Sequence, residues 1–246
     1  MSSGISSHRI RETYVDHLRI ALSALVIVFH LTTQYGNVGR WPYQETQSDI
    51  LSQSVYGIPF AIVQAFLMPL WFGVAGYFSA QTITRRGAWS FLSQRAVRLG
   101  VPMLLYDLLV QPTLWYLNGR AAATENRPVW LYLIQPAFSE GIGSGPLWYL
   151  LELLIFSAVL AGIAARWPDV AARPIASVPN TRHLIYLGLG IAVMAFMARL
   201  VVPMTQTTPF LNLPLGDWPK HAGLFGAGVL AARGQWLRRL PLMVGA

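Results

Sequence analysis

The chain has 246 residues, of which 54% are hydrophobic and only 11% are charged, and its mean hydropathy is +0.45. Soluble domains carry charge on roughly a quarter of their residues, so this composition excludes an ordinary soluble fold and predicts a membrane protein. The net charge of +8 does not indicate a nucleic-acid partner, because the arginines stand in short clusters between apolar runs. The absence of cysteine excludes disulfides, thiolate metal ligands and a cysteine acyl-enzyme, and we expect no metal site.

Apolar segments recur along the chain at about the length of 20 residues that crosses roughly 30 Å of hydrocarbon. They predict an all-α, polytopic transmembrane helix bundle that forms a single membrane domain over residues 1–246, with no internal repeat. The six predicted spans are residues 18–35, 56–79, 99–117, 147–165, 183–202 and 218–232. The sixth has the weakest signal, because it is short and rich in glycine.

The distribution of lysine and arginine predicts a cytoplasmic N-terminus. With this orientation 13 of the 18 basic residues lie in cytoplasmic segments and 5 in outer segments, as the positive-inside rule requires. A cleaved signal peptide with Arg9 and Arg11 as its basic region is the alternative, but His30 interrupts its apolar run and no small-x-small cleavage site follows. The sequence stops just after Arg239, where a seventh span would begin, and we therefore expect a truncated chain.

The first span, "LRIALSALVIVFHLTTQYG" at Leu18 to Gly36, carries a polar stripe. His30 follows Arg19 by eleven residues, or about three helical turns, so the two side chains share one helix face roughly 16 Å apart. Asp16 falls near the same face. A lone intramembrane histidine more often hydrogen-bonds a neighbouring helix, whereas a pair on one face favours a functional role.

A second cluster, "WSFLSQRAVRLGVP", places Arg95 and Arg98 one turn apart immediately before the third span. Residues at i and i+3 are neighbours on a helix, so we expect both guanidinium groups to point together into the cytoplasmic headgroup zone, where they could bind phosphate bidentately. The alternative is that they only set the topology. Arg85 and Arg86 fit that topological role.

The second span contains "LMPLWFGVAGYFSA". Pro69 is expected to kink this helix, and Gly73 and Gly76 are expected to let another helix approach closely. We interpret all three residues as structural.

The fourth span carries Glu152 in "GSGPLWYLLELLIF", at roughly the outer third of the membrane. A carboxylate at that depth needs a partner, and two alternatives stay open. In the first, the partner is His30, which falls at about the same depth. In the second, Glu152 is protonated and forms a hydrogen bond with another helix. Asp107 in the third span is a further buried acid without an assigned partner.

Three blocks, in order, resemble the membrane-bound acyltransferase-3 family, which includes bacterial O-antigen acetylases and glucan-succinylating proteins. They are "RETYVDHLRIALSALVIVFH", "PLWFGVAGYFSAQTITRRGAWSFLSQRAVRLGVPMLLY" and "GPLWYLLELLIF", and they cover residues 9–156. Arg19 and His30 match the family's Arg-x(10)-His motif, and Arg95 with Arg98 matches its Arg-x-x-Arg motif. Family members usually have about ten spans, so the resemblance again indicates an incomplete chain.

The resemblance implies an integral O-acyltransferase of the inner (cytoplasmic) membrane. It would move an acyl group, acetyl or succinyl, from a cytoplasmic acyl-CoA, most often acetyl-CoA, to a hydroxyl of a carbohydrate or other cell-envelope acceptor. Arg95 and Arg98, with Arg19, would bind the CoA phosphates. His30 would act on the thioester as general base or as acyl carrier. Glu152 could orient His30 as a carboxylate does in a triad, an inference from its depth alone.

We therefore expect membrane lipid, acyl-CoA and a hydroxyl-bearing acceptor as partners. The outer loops at residues 37–55 and 118–145 would set the acceptor specificity. The alternative is a secondary transporter or proton-relaying membrane protein, in which His30, Glu152 and Asp107 pass protons; the inverted repeats that would indicate one are not visible in the sequence. A protein whose polar residues only join helices is the third possibility.

Overall fold

A computed structural model describes residues 13–36, 50–121, 128, 130, 147–168, 175, 179–203, 207–208 and 211–236. All regular structure within these ranges is helical, and they contain no strand. The predicted all-α fold class is confirmed.

The helices follow one another in an order that matches the predicted spans. They are α1 (Thr13–Gly36), α2 (Ile50–Arg86), α3 (Ala88–Arg95), a π segment (Ala96–Gly100), α4 (Val101–Leu105), a second π segment (Tyr106–Val110), α5 (Gln111–Ala121), α6 (Trp148–Arg166), α7 (Thr181–Val201), a 3₁₀ turn (Leu215–Asp217) and α8 (Trp218–Gly234). Within the described residues, four helices are long and apolar enough to cross a bilayer, at His17–Gly36, Gln53–Arg86, Trp148–Arg166 and Thr181–Val201. They correspond to predicted spans one, two, four and five, and they make this a multi-pass membrane protein.

The third predicted span is helical but not a regular α-helix, because two π segments interrupt it. Each π segment is followed at once by a short α-helix whose second residue is a proline, Pro102 in α4 and Pro112 in α5. A proline has no N–H to donate to the preceding turn and its ring crowds the carbonyl there, and a π segment shifts the hydrogen-bond ladder by one residue. The sixth predicted span is α8, which has 17 residues and is short, as its sequence indicated.

The chain forms two compact units, residues 1–71 and residues 72–246, and the boundary falls inside α2. In the first unit, α1 and the first half of α2 are antiparallel. The rings of Phe29 and Phe60 stack with centroids 4.5 Å apart, and a Cβ atom on Gly36 would lie 2.9 Å from the Tyr56 side chain. The single membrane domain expected for residues 1–246 stays a prediction.

In the second unit, the last part of α2 runs parallel to α6 and α8. Residues early in this part meet residues early in the other two helices, and later residues meet later ones. The contacts that show this are Phe72 with Tyr149 and with His221, Ile83 with Ala161, and Gly76 with Phe225. The second, fourth and sixth spans of one chain must cross a membrane in the same direction, so the packing agrees with the predicted topology.

α3 and α7 of this unit run the opposite way. The contacts that show this are Ser79 with Arg95 and Ile83 with Phe91 for α2 and α3, and Asp217 with Arg199 and Gly223 with Ile191 for α8 and α7. α3 therefore returns along α2, and α8 returns along α7, as successive membrane spans do.

Glycines allow α2 and α8 to touch through their backbones. A Cβ atom on Gly76 would lie 2.1 Å from the carbonyl oxygen of Phe225, and one on Gly228 would lie 2.0 Å from that of Gly73. The packing role predicted for Gly73 and Gly76 is confirmed, since only small residues let helices approach this closely. The buried side chains beside this contact are Phe72, Leu153, Phe156 and Phe225.

Candidate functional site

The turn between α2 and α3 positions the first functional side chain. α2 ends at Arg86 and α3 begins at Ala88, so Gly87 alone makes the turn. Its φ of 78° lies in the left-handed region, which glycine adopts without the steric cost that a Cβ atom adds. This turn folds α3 back along the end of α2 and brings Arg95 against it.

Arg95 is held on α2 by a buried hydroxyl. Its Nη2 atom donates a hydrogen bond to Oγ of Ser79 over 2.9 Å, and that hydroxyl donates in turn to the carbonyl oxygen of Ala75 over 2.6 Å. The guanidinium carbon also lies 5.5 Å from the ring centre of Phe91, within the range of a cation–π contact. Ser79 is fully buried, so the hydroxyl has a fixed direction.

Arg98 does not share this environment. Arg95 is half-buried while Arg98 is exposed; that both guanidinium groups point together stays a prediction. A π segment begins at Ala96, between the two arginines, and its wider turn changes the angular position of the i+3 residue relative to an α-helix.

Burial lowers the pKa of Arg95, and although the nearby Tyr149 side chain acts to raise it, the positive charge of Arg98 lowers it further. No carboxylate among the described residues pairs with Arg95. The result is a half-buried cation with a second cation close by, and such a site favours an anion.

Arg19 and His30 both lie in α1, as predicted, and α1 is unbroken between them. Arg19 is exposed and His30 is half-buried. Nδ1 of His30 lies 2.7 Å from the carbonyl oxygen of Val26, and because a carbonyl only accepts, this nitrogen carries the proton. In a neutral ring this tautomer places the basic lone pair on Nε2, the form that a general base or an acyl carrier needs. Asp16 lies in α1, but its side chain is outside the described part of the structure.

Glu152 and His221 form a buried pair in the second unit. Oε1 of Glu152 lies 2.9 Å from Nδ1 of His221, and their side chains are 0% and 1% exposed. Depth in the membrane predicts His30 as one possible partner of Glu152; the hydrogen bond that the structure shows is with His221. A role of Glu152 in orienting His30 stays a prediction.

Aromatic rings fix the orientation of His221. Its ring stacks with Phe72 at 4.6 Å and 25° between planes, and with Trp148 at 5.6 Å and 23°. The second oxygen of Glu152, Oε2, is buried and accepts no hydrogen bond from any residue in the described ranges. The pair is therefore rigid but has one unused acceptor.

Sequence analysis missed His221, although a signal was available. It stands three residues inside the sixth predicted span, in "DWPKHAGLFG", and the argument that singled out His30 applies equally to it. Asp107, noted from the sequence, lies half-buried in the second π segment.

A charged cluster lies beside this pair where α7 ends and α8 begins. Oδ1 of Asp217 is 2.6 Å from Nη2 of Arg199 and 2.9 Å from Nζ of Lys220. Burial acts to raise the pKa of Asp217, but the hydrogen bonds and charges of Lys220 and Arg199 outweigh it and hold that pKa below its ordinary value. The cluster joins the two helices.

The outer loops expected to set acceptor specificity lie mostly outside the described residues.

Comparison with known proteins agrees with the family resemblance seen in the sequence. The family model described as an acyltransferase domain matches residues 12–244. The chain is similar to glucans biosynthesis protein C of Salmonella heidelberg (strain SL476), Salmonella gallinarum (strain 287/91 / NCTC 13346) and Salmonella agona (strain SL483). In each case 29% of 228 residues are identical, which covers 90% of this chain and 58% of the relative. No solved structure matches it. With a family model that matches nearly its whole length, the chain belongs to the acyltransferase-3 family.

Proposed function

We propose that this protein transfers an acyl group from a cytoplasmic acyl-CoA to a hydroxyl group of a carbohydrate or other cell-envelope acceptor, in the inner membrane. The family to which the chain belongs supports acyl transfer. The printed name of the relatives concerns glucans, which supports a carbohydrate acceptor. Acetyl-CoA is the donor that we propose, since the family resemblance implies it most often.

The observation that carries the proposal is the cation site at Arg95. A half-buried guanidinium without a carboxylate partner in the described residues, next to the exposed Arg98, is suited to phosphate. CoA carries its phosphates at one end of a long flexible arm and its thioester at the other. In this proposal Arg95, Arg98 and Arg19 bind the phosphates, and the arm carries the thioester toward the interior of the bundle.

The reactive residue in this proposal is His30. As a general base, Nε2 takes the proton of the acceptor hydroxyl while its oxygen attacks the thioester carbon, and the departing CoA thiolate then takes that proton. As an acyl carrier, Nε2 itself attacks the thioester and holds the acyl group until the hydroxyl takes it. In both routes the C–S bond breaks, the ester C–O bond forms and free CoA is the second product. The hydrogen bond from Nδ1 to Val26 leaves Nε2 as the basic atom in both cases.

Acetyl-CoA binding tests the cation site. The full chain in lipid nanodiscs is titrated with radiolabelled acetyl-CoA, as wild type and as the Arg95→Gln/Arg98→Gln variant. We expect the affinity to fall roughly tenfold or more, because a hydrogen bond to a charged group contributes about 1.5–3 kcal/mol. The matched control is Arg85→Gln/Arg166→Gln, which removes the same charge from two exposed arginines and should leave the affinity within about twofold. Equal affinities for wild type and the Arg95/Arg98 variant would contradict the proposal.

A proton-relaying membrane protein remains the second candidate, because the buried Glu152–His221 pair is a feature that such proteins use. The two functions differ in their dependence on the donor. An acyltransferase releases free CoA from acetyl-CoA only when an acceptor is present or the protein itself becomes acylated. A relay moves protons into vesicles without acetyl-CoA.

A further inference from the structure

We infer that Glu152 and His221 are a proton-binding pair, which holds the proton released by the acceptor hydroxyl before that proton leaves the protein. This inference rests on the transfer reaction proposed above. The pair is buried in the second unit and is not needed for binding of the donor, and the inference gives it a role.

The hydrogen bond can exist with the proton on either partner. If Glu152 is ionised, Nδ1–H of His221 donates to Oε1; if Glu152 is protonated, its hydroxyl donates to Nδ1. The heavy atoms need not move between the two forms. In addition, Oε2 of Glu152 accepts no hydrogen bond from the described residues, so the carboxyl group has an acceptor to spare. A further proton can therefore be added at Oε2 while Oε1 goes on accepting from Nδ1–H of His221, so the pair can take up and release a proton at little cost in rearrangement.

Packing holds the pair on rigid elements. The ring of His221 stacks with Phe72 and Trp148, and α8 touches α2 through the backbone at Gly76 and Gly228. A group mounted on helices that cannot shift keeps its geometry when its charge changes.

Other charged and titratable groups surround the pair on the elements that pack against it. Tyr149 of α6 interacts electrostatically with Glu152 and also with Arg95 of α3. Asp217 of the 3₁₀ turn and Lys220 of α8 act on Glu152 from the other side, and α7 contributes Arg199 through Asp217. The pair thus lies between the cation site of α3 and the charged cluster at the start of α8.

The reaction creates the need for such a site. During transfer the acceptor O–H and thioester C–S bonds break, and a C–O ester bond and an S–H bond form. In the acyl-carrier route CoA leaves before the acceptor reacts, so the hydroxyl proton is released when the thiolate is no longer there to take it. In that route the pair would bind the hydroxyl proton and pass it on, whereas the thiolate has already taken a proton from cytoplasmic water.

A purely structural role is the competing explanation. Replacing a buried charged pair by apolar groups is often neutral or even stabilising, so stability alone is a weak reason for this pair. Its test therefore needs a readout that a structural role does not change.

Infrared titration of the full chain in nanodiscs provides that readout. We expect a protonated-carboxyl band that changes as the pH is varied between about pH 5 and about pH 8, and that is absent from Glu152→Gln. This variant keeps an oxygen that accepts from Nδ1–H. The control, Ser157→Ala, removes another buried polar group of α6 with no described partner and should retain the band. A carboxyl band assigned to Glu152 that is constant over this pH range would overturn the inference.

Rates complete the test. With acetyl-CoA and a soluble glucan oligosaccharide, we expect Glu152→Gln and His221→Gln to lower kcat about 100-fold, the scale of one proton-transfer residue, with unchanged acetyl-CoA affinity and an altered pH profile. Wild-type kcat and pH profile in both variants would contradict the inference. If the wild-type chain transfers nothing but the Glu152 band titrates, the proposed function fails and proton binding by the pair stands.

Discussion

Arg95 of α3 contacts Ser79 of α2, the helix before the turn at Gly87, and its Nη2 atom lies 2.9 Å from the serine Oγ. The hydroxyl is fully buried and is itself tied to the carbonyl of Ala75. It can therefore set the direction in which the guanidinium presents its remaining N–H groups. Ser79 positions the cation that the proposal assigns to the CoA phosphates, without contacting the donor itself.

Replacing Ser79 by alanine should weaken donor binding and leave the chemical step unchanged. The lost hydrogen bond to a charged group frees Arg95 to adopt other rotamers, so we expect KM for acetyl-CoA to rise about three- to tenfold with kcat unchanged. Steady-state kinetics at several donor concentrations measure both. Ser79→Thr keeps the hydroxyl and should behave as wild type.

Thr84→Ala is the matched control for Ser79, because Thr84 also lies on α2 and donates to a backbone carbonyl four residues earlier, but is exposed. It should leave KM unchanged. A fall in kcat with a wild-type KM in Ser79→Ala would contradict a positioning role.

Gly76→Ala should destabilise the second unit. The added Cβ atom would lie 2.1 Å from the carbonyl oxygen of Phe225, so α2 and α8 must move apart, at a cost of about 1–3 kcal/mol. Thermal unfolding in detergent should show a lower midpoint. At Gly226, also in α8, a Cβ atom meets nothing within 4 Å, and Gly226→Ala should be neutral or slightly stabilising because alanine favours the helix. Equal midpoints for the two variants would show that the close approach is absent.

Asp217 should make the stability of the protein depend on pH in the acid range. Its pKa is held below the ordinary value of 3.8, mainly by hydrogen bonds from Lys220 and Arg199 that outweigh its burial. A depressed pKa in the folded state contributes stability above the unfolded pKa, and that stability is lost as the pH falls through the folded value. Asp217→Asn should therefore be less stable than wild type at neutral pH, and the difference should shrink below about pH 4.

The measurement is the unfolding midpoint of both proteins from neutral pH down to about pH 3. All other carboxyl groups are common to both proteins. The difference between their two curves of unfolding midpoint against pH therefore gives the contribution of Asp217 alone. A difference that is constant over the whole range would contradict the assignment.

The sequence predicted the elements better than the contacts between them. Hydrophobic length is a local property, so it located spans one, two, four and five, and the small residues Gly73 and Gly76 indicated a close helix contact that the structure contains. The π segments depend on how the backbone accommodates Pro102 and Pro112, and helical periodicity does not report this. One of these segments begins between Arg95, which is half-buried, and Arg98, which is exposed.

The partner of Glu152 could not be read from the sequence. The need for a partner follows from burying a carboxylate, which is a local argument. Its identity depends on tertiary packing, since His221 is 69 residues away along the chain and reaches Glu152 only because α6 and α8 run parallel. The sequence indicates only the depth of each residue in the membrane. Because several polar residues lie at a similar depth, depth alone does not identify the partner of Glu152.

Acyl transfer itself, measured with the full chain in proteoliposomes, tests the central claim most directly. Isotope-labelled acetyl-CoA and a soluble glucan oligosaccharide are incubated with wild type, His30→Ala and His183→Ala, and the product is analysed by mass spectrometry. His183 is an exposed histidine at the start of α7 and serves as the matched control. We predict labelled acetyl ester with wild type and His183→Ala, and a loss of at least about 100-fold with His30→Ala. Undiminished transfer by a correctly inserted His30→Ala protein would contradict the account.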